Sequence, residues 1–204
     1  MRVAALLAAY LIGSTPFAYF AGRSLKGIDL RQHGSGNLGA TNVYRTLGAR
    51  AAIVVLLLDA AKGALPVLLF PALLGLTGSL WWHVAFGALA IFGHVRPYAG
   101  IFKGGGKGVA TASGVFAALA PIPFLVSFAT FITVVSVTKF VSLGSILGAI
   151  ALTATVLLLE GPLAPLTLGS SLITAFVIWT HRSNIGRLRR GEESKFGRSR
   201  GTAG

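Results

Sequence analysis

Seven apolar segments make up most of this 204-residue chain, and they constrain its fold more than any other feature. A membrane-spanning α-helix needs about 20 mostly apolar residues. Charged residues are only 11% of the chain, against roughly 25% in soluble domains. We therefore predict a single domain over residues 1–204, an all-α integral membrane protein of about seven transmembrane helices. The predicted spans are residues 3–20, 51–74, 80–95, 109–120, 124–138, 143–159 and 163–180.

The distribution of cations predicts the orientation. Nearly all Lys and Arg lie after spans one, three and five, or in the basic tail at about 182–204. The loops after spans two, four and six carry none, and Arg2 is a single charge on that side. Because cationic loops stay in the cytoplasm, we expect the N-terminus outside and the C-terminus in the cytoplasm.

The net charge of +13 raises the question of a nucleic-acid partner. Here the cations sit beside apolar spans, so anionic membrane lipids explain them better, and no nucleic acid is expected. The chain has no cysteine, which excludes disulfides, iron–sulfur clusters and thiolate zinc sites.

Three polar blocks interrupt the apolar chain, and the first lies in the polar stretch at residues 22–50. It reads GSGNLGATN and is followed by an arginine. The GxGxxG pattern within it is not a dinucleotide fingerprint, because no strand precedes it. Glycines nevertheless allow successive backbone N–H groups to bind an anion, and an arginine can bind phosphate with two hydrogen bonds. The alternative is a solvated loop. The candidate residues are Gly34, Ser35, Gly36, Asn37, Asn42 and Arg45.

The second block reads KGGGKGVAT and only resembles a nucleotide-binding P-loop. That motif would need glycine where Ile101 stands and Ser or Thr where Gly108 stands. A glycine loop that runs into an apolar helix at Val109 could still hold phosphate at the helix N-terminus. The alternative is a pair of lysines that orient the span. The candidate residues are Lys103, Gly104, Gly105, Gly106 and Lys107.

The third block, HRSNIGRL, places His181 and Asn184 three residues apart. On a helical extension of the last span they would share a face. His181 could act as a base or as a neutral hydrogen-bonding group, or simply lie at the membrane interface. No neighbouring His or carboxylate completes a metal site, so neither a metal nor a cofactor is expected.

One charged pair, Asp59 and Lys62, lies within a predicted span, about 12–15 Å from its start. Such residues are usually paired inside the bundle and often mark function. A structural ion pair and a substrate role both remain open.

Taken together, these blocks resemble the bacterial acyl-phosphate:glycerol-3-phosphate acyltransferase family along nearly the whole chain. The resemblance includes DLRQHGSGNLGATNVYR, LLDAAKGALPVLL, GHVRP, KGGGKGVAT, KFVSLGS and HRSNIGRLRRGEE, in the family's order. The second block is one glycine longer than the family's usual KGGKG.

The resemblance implies acyl transfer from an acyl-phosphate to the sn-1 hydroxyl of glycerol-3-phosphate, in the bacterial inner membrane, with the site on the cytoplasmic side. It implies that Ser35, Arg45 and Lys107 bind the acyl-phosphate and that His181 and Asn184 position glycerol-3-phosphate. Ser142, in KFVSLGS, joins the phosphate-binding set. We expect these two substrates and membrane lipids as partners, and a functional monomer.

Three mechanisms are compatible with these residues: proton uptake by the departing phosphate, Ser35 as an acylated nucleophile, or His181 as general base. The runner-up function is a membrane transporter of an organic phosphate, which the intramembrane pair Asp59 and Lys62 would suit. A structural membrane protein without a ligand would leave the three blocks unexplained.

Overall fold

The computed structural model describes residues 1–100, 102 and 104–197, and their regular structure is helical. Ten α-helices are present in this part of the chain. In chain order they are Arg2–Ser14 (α1), Phe17–Lys26 (α2), Ala40–Leu47 (α3), Ala49–Leu73 (α4), Leu80–Val95 (α5), Val109–Leu119 (α6), Pro121–Thr138 (α7), Val141–Glu160 (α8), Pro165–Thr180 (α9) and Arg182–Arg189 (α10).

Each predicted span overlaps one of these helices, and the prediction of an all-helical fold is confirmed. Three helices, α5, α6 and α9, are apolar but shorter than 18 residues. Four stretches in the described residues are long and apolar enough to cross a membrane: Arg2–Lys26, Ala49–Leu73, Pro121–Thr138 and Val141–Glu160.

The first apolar stretch is divided at Thr15–Pro16, where α1 ends and α2 begins. Proline has no N–H to donate and disfavours a helical conformation in the residue before it, so the regular hydrogen bonding stops here. The carbonyl oxygen of Thr15 accepts a hydrogen bond from the Lys62 ammonium of α4 at 2.7 Å. The same carbonyl also accepts the Phe17 N–H at 3.2 Å, so the break forms a tight turn that Lys62 contacts from α4.

Small residues bring helices α4 and α6 into close contact at two points. A Cβ atom at Gly114 of α6 would overlap the carbonyl of Ala60 in α4, and one at Gly63 of α4 would overlap the carbonyl of Thr111 in α6. Backbone contact of this kind is typical of helix packing in membranes, where lipid gives no hydrophobic drive to association. It fixes the start of α6, and with it the second polar block, against α4.

Two features differ from the sequence-based description. The polar stretch at 22–50 contains a helix of its own, α3, which carries Arg45. The predicted helical extension of the last span is interrupted at His181, between α9 and α10. There the Val177 carbonyl accepts hydrogen bonds from both the backbone N–H and the ring of His181.

Candidate active site

The three polar blocks meet at one end of the helix bundle. The Leu38 N–H and the Asn37 side-chain amide of the first block both donate to the Gly105 carbonyl of the second, at 3.4 and 3.3 Å. The Lys107 ammonium of the second block donates to Asn184 Oδ1 of the third. The three blocks are therefore in direct contact with one another.

The first loop, residues 34–39, is held by a side chain from the helix that follows it. Asn42 of α3 is 2% exposed, and its Oδ1 accepts the Ser35 N–H at 2.8 Å. Its Nδ2 donates to the carbonyls of Leu30 and His33 at 3.2 and 3.0 Å. These hydrogen bonds use both the oxygen and the nitrogen of the Asn42 amide, so this buried side chain sets the shape of the loop. The Ser35 residue itself is exposed.

Arg45 lies in the last turn of α3, on the same side as the loop. Its guanidinium is exposed and donates to the Ser194 carbonyl at 3.3 Å. The neighbouring Tyr44 ring stacks on Phe196 with 4.6 Å between ring centroids. The C-terminal segment 192–197 thus crosses the site and contacts α3.

The second loop, residues 104–108, leads into α6 at Val109, as predicted. Gly106 is buried, and its N–H donates to the His94 carbonyl at 3.2 Å. Gly104 is exposed and has a φ of +93°. The candidate residue Lys103 lies outside the described residues.

Lys107 is the cation of this loop. Burial lowers the pKa of its ammonium group to about 8, and the positive charges of Arg187 and Arg45 act in the same direction. At pH 7 the group remains mostly protonated. A partly desolvated cation interacts more strongly with an anion than one in water, so this position suits phosphate.

His181 is 3% exposed at the junction of α9 and α10. Its Nδ1 lies 2.8 Å from the Val177 carbonyl, and a carbonyl can only accept, so Nδ1 carries the hydrogen. Burial lowers the pKa of this imidazole to about 4, with Lys107 acting in the same direction. The ring is therefore neutral at pH 7, and Nε2 is a hydrogen-bond acceptor.

Glu193 is a further candidate residue of the site, and the sequence patterns did not reveal it. Its carboxylate accepts hydrogen bonds from Ser142 Oγ at 2.7 Å, Asn184 Nδ2 at 2.6 Å and Arg187 Nε at 2.7 Å. Burial alone would raise the pKa of this carboxyl, but these three hydrogen bonds outweigh it and lower the pKa. The available signal was a pair of acidic residues in a basic tail, in a chain with only five acidic residues.

These contacts fix the orientation of the Asn184 amide. Its nitrogen donates to Glu193, so its oxygen faces the Lys107 ammonium. The sequence-predicted residues Lys107, Asn184 and Ser142 thus belong to one network through Glu193. Within the described residues, no three His, Asp or Glu side chains cluster as a metal-ligand set.

Comparison with known proteins identifies relatives over nearly the full chain. Residues 3–191 match the family described as Glycerol-3-phosphate acyltransferase. The glycerol-3-phosphate acyltransferase of Synechococcus elongatus is 46% identical over 200 residues, covering 96% of this chain and 94% of that protein. The protein of the same name from Myxococcus xanthus is 44% identical over 202 residues, covering 96% and 100%.

Two crystal structures of PlsY, an integral membrane glycerol 3-phosphate acyltransferase, have the same fold. The glycerol 3-phosphate form gives a TM-score of 0.87 at 37% identity and covers 96% of each chain. The lysophosphatidic acid form gives 0.85 at 36% identity, covering 96% of this chain and 95% of that one.

Proposed function

Because this chain belongs to the glycerol-3-phosphate acyltransferase family, we propose that it acylates the sn-1 hydroxyl of glycerol-3-phosphate with acyl-phosphate as the donor. The products are 1-acyl-glycerol-3-phosphate (lysophosphatidic acid) and inorganic phosphate, and the reaction is the first step of phospholipid synthesis. Both substrates carry phosphate, and the acyl chain of the donor belongs among apolar helices.

The convergence of the three polar blocks is the observation that carries this proposal. It places the Lys107 ammonium and the Arg45 guanidinium close enough for the charge of Arg45 to lower the pKa of Lys107. Their shared ligand is a phosphate group. Gly34 and Gly104 have left-handed backbones, which allow the two loops to turn toward the same oxygens, whereas the N–H groups of Gly36 and Gly106 already donate to the carbonyls of His33 and His94.

The reaction needs little from a protein base. The sn-1 oxygen forms a bond to the acyl carbon, and the bond between that carbon and the phosphate oxygen breaks. The phosphate leaves with the bonding electron pair and takes the hydroxyl proton. Lys107 and Arg45 stabilise the charge that develops on it, which is commonly the largest catalytic contribution.

His181 positions the hydroxyl in this scheme. Its Nε2 accepts a hydrogen bond from the attacking hydroxyl, but a group with a pKa near 4 is a weak base at pH 7. Proton uptake by the departing phosphate is therefore favoured over general-base catalysis by His181. Ser35 then serves phosphate binding and not acyl attachment, and Asn184 and Ser142 hold glycerol-3-phosphate.

We further propose seven membrane spans with the N-terminus outside and the active site at the cytoplasmic face of the bacterial inner membrane, in a functional monomer. The clustering of cations at the end of the bundle that carries the site supports this orientation. Large apolar side chains are exposed on the outer faces of the helices, among them Leu57 and Leu158, as lipid contact requires.

The test is product formation by the purified protein in lipid vesicles with glycerol-3-phosphate and palmitoyl-phosphate. We expect lysophosphatidic acid and free phosphate in equal amounts, and a loss of about 10²–10³-fold in kcat for Lys107→Ala. Arg189→Ala, which removes an exposed cation of α10, is the matched control and should retain activity. No product, with glycerol-3-phosphate crossing the vesicle membrane instead, would establish the transporter alternative.

A further inference from the structure

A buried charged cluster lies directly beneath the second loop. Asp59 and Lys62 of α4 form an ion pair at 2.7 Å, and His94 Nδ1 of α5 lies 3.5 Å from the same Asp59 oxygen. All three side chains are no more than 5% exposed. Ionisable groups inside a membrane protein are costly, so a cluster of three in one place calls for a function.

Lys62 ties this cluster to the break between α1 and α2. Its ammonium donates to the Thr15 carbonyl at 2.7 Å and lies 5.5 Å from the centre of the Phe17 ring. One cation therefore pairs with Asp59 and also binds the Thr15 carbonyl at the break before Pro16. This fixes the Asp59 carboxylate relative to three helices.

His94 ties the cluster to the glycine loop. It lies in the last turn of α5, where backbone carbonyls lack a partner within the helix, and its carbonyl accepts the Gly106 N–H. The ring packs so closely on Gly106 that a Cβ atom there would overlap His94 Nε2. Asp59 therefore faces one ring nitrogen of His94, and the loop backbone lies against the other.

A small cavity joins the same groups. Its lining includes the cluster residues and two residues of the loop: Asp59, Lys62, His94, Gly105 and Gly106. It has room for about one water molecule. The loop thus rests on the cluster, and Lys107 is the next residue along the chain.

We propose that Asp59, Lys62 and His94 are positioning residues that fix the backbone of Gly105–Gly106 and thereby aim the Lys107 ammonium at the reacting phosphate. The proposal deepens the acyltransferase function and rests on it. The cluster touches neither substrate and acts through the ring and carbonyl of His94. Its effect belongs to the transition state, so kcat should fall more than the KM for glycerol-3-phosphate rises.

A double-mutant cycle tests the contact between ring and loop. Gly106 does not have a left-handed backbone, so alanine is strained there only by its overlap with the His94 ring. We expect Gly106→Ala to lower kcat about 100-fold and His94→Ala about 10-fold. The double variant should be more active than Gly106→Ala alone, because removal of the ring makes room for the methyl group. Losses that simply multiply would overturn the proposal.

The charged pair is tested by Asp59→Asn combined with Lys62→Met, which removes both charges and leaves neither one buried alone. We expect about a 10-fold lower kcat, a KM within about twofold and a folded protein. Thr153→Val, which breaks a buried hydroxyl pair with Thr174 between α8 and α9, is the control and should keep kcat. Equal effects of both changes on kcat would indicate a merely structural role for the cluster.

Amide hydrogen exchange across residues 104–108 separates this proposal from the proposed function. Exchange should be at least about 10-fold faster in Asp59→Asn, Lys62→Met than in the unmodified protein. If the unmodified protein has no acyltransferase activity but exchange responds in this way, the function fails and the positioning of the loop stands. Unchanged exchange in the folded variant would overturn the positioning.

Discussion

The two glycine-rich loops of the site look alike in sequence, but different parts of the molecule hold them in place. The first is held by Asn42, which lies seven residues further along the chain than Ser35. Its Oδ1 accepts the hydrogen bond from the Ser35 backbone N–H. The second is held from outside, by the carbonyl of His94 in α5 and through the contact of Lys107 with Asn184. The candidate phosphate site thus combines a loop that is held mainly by a side chain close in sequence with one that depends on the assembled bundle.

The largest effect is expected from Asn42→Ala, which removes the side-chain amide that holds the first loop. The Ser35 N–H would lose its acceptor, and the carbonyls of Leu30 and His33 would keep only their backbone donors. Each of the three lost hydrogen bonds contributes about 0.5–1.5 kcal/mol. We expect at least about a 100-fold loss of activity and a lower thermal unfolding midpoint in detergent. A variant of full activity would show that the loop does not depend on this amide.

Glu193→Gln should weaken the external support of the second loop. The carboxylate accepts three hydrogen bonds, and a glutamine NH₂ in its place would face a donor. With the Asn184 amide released, we expect about a 10- to 30-fold lower kcat/KM in the vesicle assay. Glu192→Gln is the matched control, because that exposed carboxylate pairs only with the exposed Arg190 in the contacts described and should matter little. Equal losses of kcat/KM in both variants would show that Glu193 does not support the second loop.

The pH dependence of kcat should distinguish Lys107 of the second loop from Arg45 of α3. The pKa of Lys107 is lowered to about 8, so its charge is present below that pH and is lost above it, whereas the Arg45 guanidinium stays charged. We expect kcat to fall about fourfold between pH 7 and pH 8.5 from this titration. In Lys107→Arg the activity that remains should not fall over this range. A similar fall in that variant would assign the titration to another group.

The smallest effect is expected from Asn37→Ala, which removes the side-chain bond between the two loops. This single bond to the Gly105 carbonyl is 3.3 Å long, and the Leu38 N–H shares the same acceptor. A long bond to a shared acceptor contributes about 0.5 kcal/mol, the low end of the usual range, so we expect about a twofold change in kcat/KM. A loss as large as that of Asn42→Ala would mean that the loops form one unit.

Much of the fold could be predicted because membrane-spanning helices correspond to continuous runs of apolar residues in the sequence. Leu80–Val95 was predicted to the residue, and the start of α6 at Val109 followed from the glycine loop before it. Helix α3 was not predicted, because eight residues with a tyrosine, two threonines and an arginine read as part of a polar loop. It forms where Asn42 and the first loop hold its N-terminal end.

The site was predictable where phosphate chemistry dictates residue type and not where partners come from distant segments. Lys107, His181 and Asn184 are identified by block composition, whereas Glu193 is recognisable only once the tail folds over the site. The same holds for His94, whose ring touches the second loop from the preceding helix.

Local composition sets hydrophobicity and hydrogen-bonding chemistry. The order of residues is therefore enough to show that this protein is helical, that it suits a membrane, and that it carries three polar blocks suited to phosphate. Which groups meet depends on how the helices pack. This packing placed Glu193 on Asn184 and His94 on Gly106, and it buried Lys107 enough to lower its pKa. Desolvation and contacts between distant residues arise from packing, which the order of residues along the chain does not display.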